Sequence, residues 1–389
     1  MNITLPSSVR HAIQLLNDAG FEAYVVGGCV RDYLMGKEPY DWDITTSAHP
    51  EDTLTVFSEY RTIETGLQHG TITVIVDDTP LEITTYRVDG AYTDGRHPDA
   101  VTFTPSLTED LRRRDFTINA MAYHPNIGIV DPFGGQADLS NSVIRCVGKP
   151  MDRFTEDALR IIRGLRFAST LGFTIEDATS DAIHRLCSNL CLVSIERITA
   201  EFKRLICGVD ASFILTRFSD VIAVFLPEIA SNLCGRLSEL PARLSIRFAA
   251  LFQDANVSAE HARGALQRLR MDNQTIRQIT TLLEVLPNTV SRQDASILRL
   301  LHHLGPEWIW DYFTLKRCDI SIIRRTKELL DSHACYRVSM LAIDGQDLIH
   351  YGITPGPEIG RTLNELLDAV MDGVCENTKI ALLAYLDKQ

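Results

Sequence analysis

The stretch FEAYVVGGCVRDYLMGKEPYDWDITT, residues 21–46, decides the reading of this chain. Its opening predicts a strand over 21–26, which runs into Gly27-Gly28-Cys29-Val30-Arg31-Asp32. Two glycines after an apolar strand let backbone N–H groups approach a phosphate closely, and a helix starting there favours an anion. Arg31 can add a charge-assisted contact. The same hexapeptide also reads as a tight strand-to-helix turn with a surface arginine. Farther on, Asp41-Trp42-Asp43-Ile44 predicts a second strand over 41–45. Alternate residues of a strand share a face, so Asp41 and Asp43 form a pair of adjacent carboxylates. Burying such a pair without a cation is costly. Mg²⁺ suits hard oxygen ligands, and two such ions can activate an attacking hydroxyl and stabilise a leaving pyrophosphate. Glu82 is either a third carboxylate or a solvent-facing strand residue.

Working outward, residues 1–140 read as mixed α and β. A helix is predicted over 8–19 and further strands over 71–76, 81–88 and 101–104, separated by Gly, Pro and Asp clusters. From about 150 onward apolar residues recur at helical spacing, with a break near 287–294. The fold class is therefore α+β, a small sheet-based head followed by an all-helical region. The chain has 389 residues, 45% hydrophobic and 23% charged, which is ordinary for a globular protein. No apolar run is long enough for a membrane span and no signal peptide is visible, so a cytoplasmic location is expected. Nine scattered cysteines, with no CxxC pair, read as free thiols. A net charge of −13 argues against general polyanion binding. Between Arg145 and Arg204, however, ten Lys/Arg face eight Asp/Glu. That local excess is compatible with one RNA of defined shape.

These motifs carry a resemblance. Residues 27–32 (GGCVRD) and 41–44 (DWDI), the run Arg112-Arg113-Arg114-Asp115-Phe116-Thr117-Ile118-Asn119-Ala120, and Glu156-Asp157-Ala158-Leu159-Arg160 resemble the class II tRNA nucleotidyltransferases. That family comprises the CCA-adding enzymes and their bacterial poly(A) polymerase relatives. The resemblance covers residues 1–205 in order and spacing. The tail, from Ile343-Asp344-Gly345 to Ile359-Gly360, is similar to that of Gram-positive CCA-adding enzymes.

The resemblance implies a polymerase-β-like nucleotidyltransferase head (1–140), a helical neck that recognises the base (141–205), a helical body (206–290) and a helical tail that binds tRNA (291–389). It implies addition of C, C and A to tRNA from CTP and ATP. Asp41 and Asp43 would hold Mg²⁺, Glu82 would assist, and Gly27, Gly28, Arg31 and Arg114 would bind the nucleotide. Asp115 and Asn119 would contact the ribose or support those that do, and Arg163 and Arg166 would lie near the triphosphate or stack on the base. A loop over 89–98 is similar in position to one found in family members that add A, so an A-only enzyme is the alternative. The Phe21-Glu22-Ala23-Tyr24 sequence and the acidic C-terminal half argue against poly(A) polymerase. Gln253-Asp254 lacks the histidine of the phosphohydrolase domain that some relatives carry.

The segment 155–171 predicts one helix, with Thr155 as N-cap, Ile161, Leu165 and Ala168 as its apolar stripe, and Gly172 as its stop. Asp157, Arg160 and Arg163 would line one face. Cytosine and adenine both offer an amine donor beside a ring-nitrogen acceptor, whereas guanine and uracil offer the reverse. Ionised aspartate only accepts and arginine only donates. The pair Asp157 and Arg160 therefore matches C and A and mismatches G and U, at about 1–3 kcal/mol for each paired contact.

Overall fold

The structure is a computed structural model describing residues 3–90, 101–229 and 235–388. It contains two compact units, residues 1–238 and 239–389. The boundary between them falls inside the segment assigned above to the helical body.

The first unit opens with α1 (Ser7–Asp18), whose Val9, Ala12, Ile13 and Leu16 are buried at helical spacing. β1 (Ala23–Val26) is buried throughout. It is followed by α2 (Gly28–Leu34), β2 (Asp43–Thr46), α3 (Pro50–Val56), β3 (Arg61–Ile63), β4 (Thr71–Val76), β5 (Thr79–Thr85), β6 (Arg87–Asp89), β7 (Val101–Phe103), α4 (Leu107–Arg112), β8 (Ala122–His124) and β9 (Gly128–Val130). Seven of these strands form one mixed sheet in the order β3-β4-β5-β2-β1-β8-β9. β6 and β7 pair separately, so the expected strand over 81–88 is two strands in two sheets. The expected loop over 89–98 lies outside the described residues from position 91 onward.

The sheet has two packed faces. Val25, Ile44 and Ile83 join the α1 core, whereas Tyr24 and Val26 join Leu107, Leu111 and Ala122. β2 runs parallel to β5 and antiparallel to β1, with Asp43 registered on Glu82 and Ile44 on Val25. Because Ile44 faces the α1 core, Asp43 points to the opposite side.

Helices α5 (Gly135–Ser140), α6 (Pro150–Glu156), α7 (Leu159–Leu171), α8 (Asp177–Leu186), α9 (Ile195–Ile206), α10 (Ala211–Arg217) and α11 (Ser219–Ala223) follow. The strands β10 (Val143–Ile144) and β11 (Thr174–Ile175) make one short parallel pair among them, so strands do not end with the head. The expected single helix over 155–171 is broken. Pro150 starts α6 at a favourable first-turn position, which leaves Thr155 in that helix's last turn, donating to the Met151 carbonyl. Asp157 is extended (φ −137°, ψ 103°) and its Oδ1 accepts from the Leu159 N–H, so it separates the two helices and caps the second. Gly172, at φ 71°, does stop α7.

The second unit holds α12 (Leu244–Asp254), α13 (Ala259–Arg268), α14 (Asn273–Val285), α15 (Asp294–Lys316), α16 (Ile320–Asp331), α17 (Gly345–Tyr351), α18 (Pro357–Met371) and α19 (Lys379–Leu386). Ser258, Asp272, Asp319, Asp344 and Thr378 cap helix starts with side-chain oxygens. Gly305 (φ 70°) and Pro306 kink α15. The expected break at 287–294 is the connection between α14 and α15. Asp311 is fully buried and tied to Arg243 at 2.7 Å, Ser245 at 3.0 Å and Gln278 at 3.0 Å, which joins α12, α14 and α15.

Candidate nucleotide-transfer site

β1 ends at Val26, and the chain must turn sharply to enter α2. Gly27 makes that turn at φ 81° and donates to the Met121 carbonyl at 3.1 Å. A side chain on Gly27 is strained by that conformation, and its Cβ would sit 3.1 Å from Arg114 Nη1, which would have to give way. Arg31, in α2, is held at Nη1 by Asn119 Oδ1 (2.6 Å) and at Nε by Asp32 (2.9 Å).

Asp43 is the first residue of β2, and Asp41 lies two residues before the strand, which corrects the expected span of 41–45. The two carboxylates still interact. Burial, then the charges of Asp41 and Glu82, push the Asp43 carboxyl up to about 6, against the pull of Arg114. The side chain is nonetheless solvent-reachable, so the effect is that of a concave site with converging negative charge. Two hard carboxylates that repel one another fit a divalent cation, with remaining positions left for water and phosphate. Among the described residues no group of three or more metal-ligating side chains forms a closed site.

A cavity of about 550 Å³ joins these groups. It is lined by Gly27, Gly28, Arg31, Asp41, Asp43, Arg113, Arg114, Asp115, Asn119, Asp157, Arg160, Arg163, Arg166, Phe167 and Arg204. Every site residue expected from the sequence is present except Glu82, which stands one strand away, opposite Asp43. A larger cavity of about 800 Å³ lies between residues 4–6 and residues 33–42, with Trp42 in its wall, but among the described residues Lys37 and Glu38 are its only charged lining residues. It lacks the convergent charges that the chemistry requires.

The cationic wall is held by carboxylates. Asp110 is fully buried and accepts from Arg113 (2.9 Å), Arg114 (3.3 Å) and the Thr45 hydroxyl (3.2 Å), which ties two pocket arginines to the strand carrying Asp43. Arg114 Nε is buried without a hydrogen-bond partner among the described residues. Burial disfavours the Asp115 carboxylate, yet Arg163 (2.7 Å), Asn119 (3.1 Å) and the charge of Arg160 hold it at about 2. Arg166 Nε lies 2.6 Å from Glu201 Oε2, and its guanidinium covers the Phe167 ring at 3.6 Å. Burial pushes the Arg166 pKa down to about 10.

Arg160 departs from the expectation of an open donor. It is 7% exposed and donates to the Arg153 carbonyl (3.2 Å), Glu156 (2.8 Å) and the Arg113 carbonyl (2.9 Å). It fastens α6 to the start of α7, beside Asp157. Asp157 Oδ2 is met by Arg197 of α9 at 3.3 Å.

Sequence reasoning gave Arg113 no separate role, and it missed Phe167 and Arg204 on the cavity wall and Asp110, Arg197 and Glu201 behind it. Arg197, Glu201 and Arg204 stand at i, i+4 and i+7 of α9, a charged stripe that helical spacing alone could have exposed.

Residues 23–145 match the family model of the poly A polymerase head domain, and residues 245–386 match that of tRNA nucleotidyltransferase domain 2. The chain is 38% identical over 399 residues to the CCA-adding enzyme of Enterococcus faecalis, covering 99% of this chain and 97% of that one. It is 36% identical to the CCA-adding enzyme of Lactobacillus delbrueckii subsp. bulgaricus, covering 96% of each. The solved structure of the Bacillus stearothermophilus CCA-adding enzyme in complex with CTP superposes with a TM-score of 0.86 at 31% identity, covering 99% of this chain and 98% of that one. The Thermotoga maritima CCA-adding enzyme complexed with tRNA shares the fold, with a TM-score of 0.67 at 22% identity, covering 98% of this chain and 94% of that one.

Proposed function

The chain belongs to the CCA-adding enzymes, the CCA tRNA nucleotidyltransferases, and from that premise we propose that it completes tRNA 3′ ends by nucleotidyl transfer in the cavity of the first unit. The observation that carries the reading is the meeting, in one cavity, of the Asp41/Asp43 pair, the Gly27–Gly28 turn and an arginine wall. The RNA 3′-hydroxyl attacks the α-phosphate of CTP, twice, and then of ATP, with pyrophosphate leaving. Gly28, Arg31 and Arg114 hold the triphosphate, while Asn119 and Asp115, on the ribose side, keep Arg31 and Arg163 in position. Asp41 and Asp43 would hold Mg²⁺, and Glu82 adds negative charge next to Asp43. When bound, the metal supplies charge neutralisation at the phosphates and acidification of the attacking hydroxyl.

Asp157 and Arg160 choose the base. Both already have protein partners, so a cytosine or adenine edge must take over part of each residue's bonding. The tail helices of the second unit, 291–389, contact the tRNA by shape and phosphates. An A-only enzyme is the weaker alternative, because the relatives above are CCA-adding.

Asp41→Ala and Asp43→Ala test the site. Each should abolish nucleotide incorporation while leaving tRNA affinity within about twofold, since the carboxylates serve the metal and not the RNA. Near-normal incorporation by either variant would overturn the assignment.

A further inference from the structure

Among the described residues, six of the seven arginines lining the nucleotide cavity are matched to a carboxylate. Arg31 pairs with Asp32, Arg113 and Arg114 with Asp110, Arg160 with Glu156, Arg163 with Asp115, and Arg166 with Glu201. Arg204 is the exception. It is exposed and lines the same cavity, and its guanidinium makes no hydrogen bond or ion pair among the described residues. Among the described residues, this unneutralised guanidinium at the rim of a closed set of ion pairs is the one cavity arginine free to meet an incoming anion without first breaking a bond.

Its place along the helices says which anion. α7 and α9 pack side by side and run in the same direction, because Asp157 meets Arg197, Arg163 and Arg166 meet Glu201, and the Ser169 hydroxyl meets the Leu205 carbonyl. Arg204 therefore stands seven residues beyond Arg197, about 10 Å down the helix from the base-reading end. At that level the Phe167 ring lies under Arg166 and 5.2 Å from the Arg31 guanidinium, so the wall of α7 and the Gly27–Gly28–Arg31 turn face each other there. A nucleotide with its base at Asp157 directs its phosphates to this end. The like charge of Arg204 also disfavours the Arg166 cation, a repulsion that a polyanion between them would reverse.

We infer that Arg204 is a further substrate-binding residue, which holds the terminal phosphates of the incoming nucleoside triphosphate and then the pyrophosphate leaving group. This rests on the nucleotidyl-transfer reading above and extends it to a helix outside the motifs that suggested it. Arg204 does not touch the reacting α-phosphate, so its contribution lies in binding.

The experiment measures equilibrium binding of CTP, CMP and inorganic pyrophosphate, with Mg²⁺, to the full chain and to Arg204→Ala and Arg204→Lys. Arg204 is exposed and unpaired, so both variants should melt with the wild type. Arg204→Ala should lose roughly tenfold in CTP and pyrophosphate affinity and nothing in CMP affinity, and Arg204→Lys should recover most of the loss. Equal loss of CTP and CMP, unchanged CTP affinity, or a loss confined to tRNA affinity would each overturn the inference. A wild-type chain that bound no CTP would sink the nucleotidyl-transfer reading itself, which separates the two failures.

Discussion

Asp115 and Asp43 sit in one cavity and respond to it in opposite ways. Arg163 and Asn119 hold the Asp115 carboxyl at about 2, below its unfolded range. A lowered carboxylate contributes stability that is present above the unfolded value and lost as pH falls through the folded one. Asp115→Asn should therefore destabilise the protein by on the order of 2 kcal/mol at pH 7, and the gap to wild type should close between about pH 4 and pH 2. Thermal melts across that window check the sign, and a gap independent of pH would contradict it. Asp43 has the reverse problem, since burial, Asp41 and Glu82 all oppose its charge. Asp43→Asn should leave the metal-free protein as stable as wild type or raise its Tm by a few degrees, a modest gain because the group reaches solvent. Added Mg²⁺ should raise the Tm of wild type and not of the variant; equal Mg²⁺ responses would remove Asp43 from the metal site. The two aspartates flanking Trp42 were legible in the sequence because their spacing carries chemistry. Asp110 was not, because in the run Glu109-Asp110-Leu111-Arg112 it looks like any helical acid. Only the fold brings Thr45 of β2 against it.

At the scale of elements, the site depends on how α7 packs along α9. Gly208, just after α9, has no room for a side chain: a Cβ there would lie 2.1 Å from Ser169 Oγ and 2.6 Å from the Ser169 backbone. Gly208→Ala should force the helices apart at that end and cost about 1–3 kcal/mol, read as a lowered Tm with weakened CTP binding. An unchanged Tm would show that the close approach is dispensable. The break between α6 and α7 escaped sequence reading because Thr155 looks like a cap and the apolar stripe continues past it. The deciding residue is Pro150, which starts a helix earlier and leaves Asp157 to end it. That break puts Asp157 on a corner and not on a helical face. Asp157→Ala and Arg160→Ala should both slow addition and relax selectivity against UTP and GTP, by roughly ten- to a hundredfold for each lost paired contact. Arg160→Ala should also lower the Tm, since Arg160 bonds Glu156 and the Arg113 carbonyl. Wild-type selectivity in both variants would end the base-reading assignment.

For the whole molecule, a net charge of −13 is reconciled with an RNA substrate by a local excess of arginine. Among the described residues seven arginines line one cavity, and carboxylates already neutralise most of them. Such a protein should bind its RNA through a limited number of phosphate contacts. Its tRNA affinity should fall with salt, on a log–log slope of about −0.7 for each single-strand contact, and affinity flat between 50 and 200 mM salt would contradict this. The layout of sheet-bearing head and helical remainder was legible from periodicity alone. The division at residues 238/239 was not, since no Pro/Gly-rich linker marks it and helices continue on both sides. The most direct test of the central claim is an addition assay on tRNA lacking its last three nucleotides, with CTP alone, ATP alone, and both. One site that reads C twice and then A predicts two additions with CTP alone and a complete CCA end with both. No addition with CTP on that substrate, together with efficient A addition to tRNA already ending in CC, would contradict it.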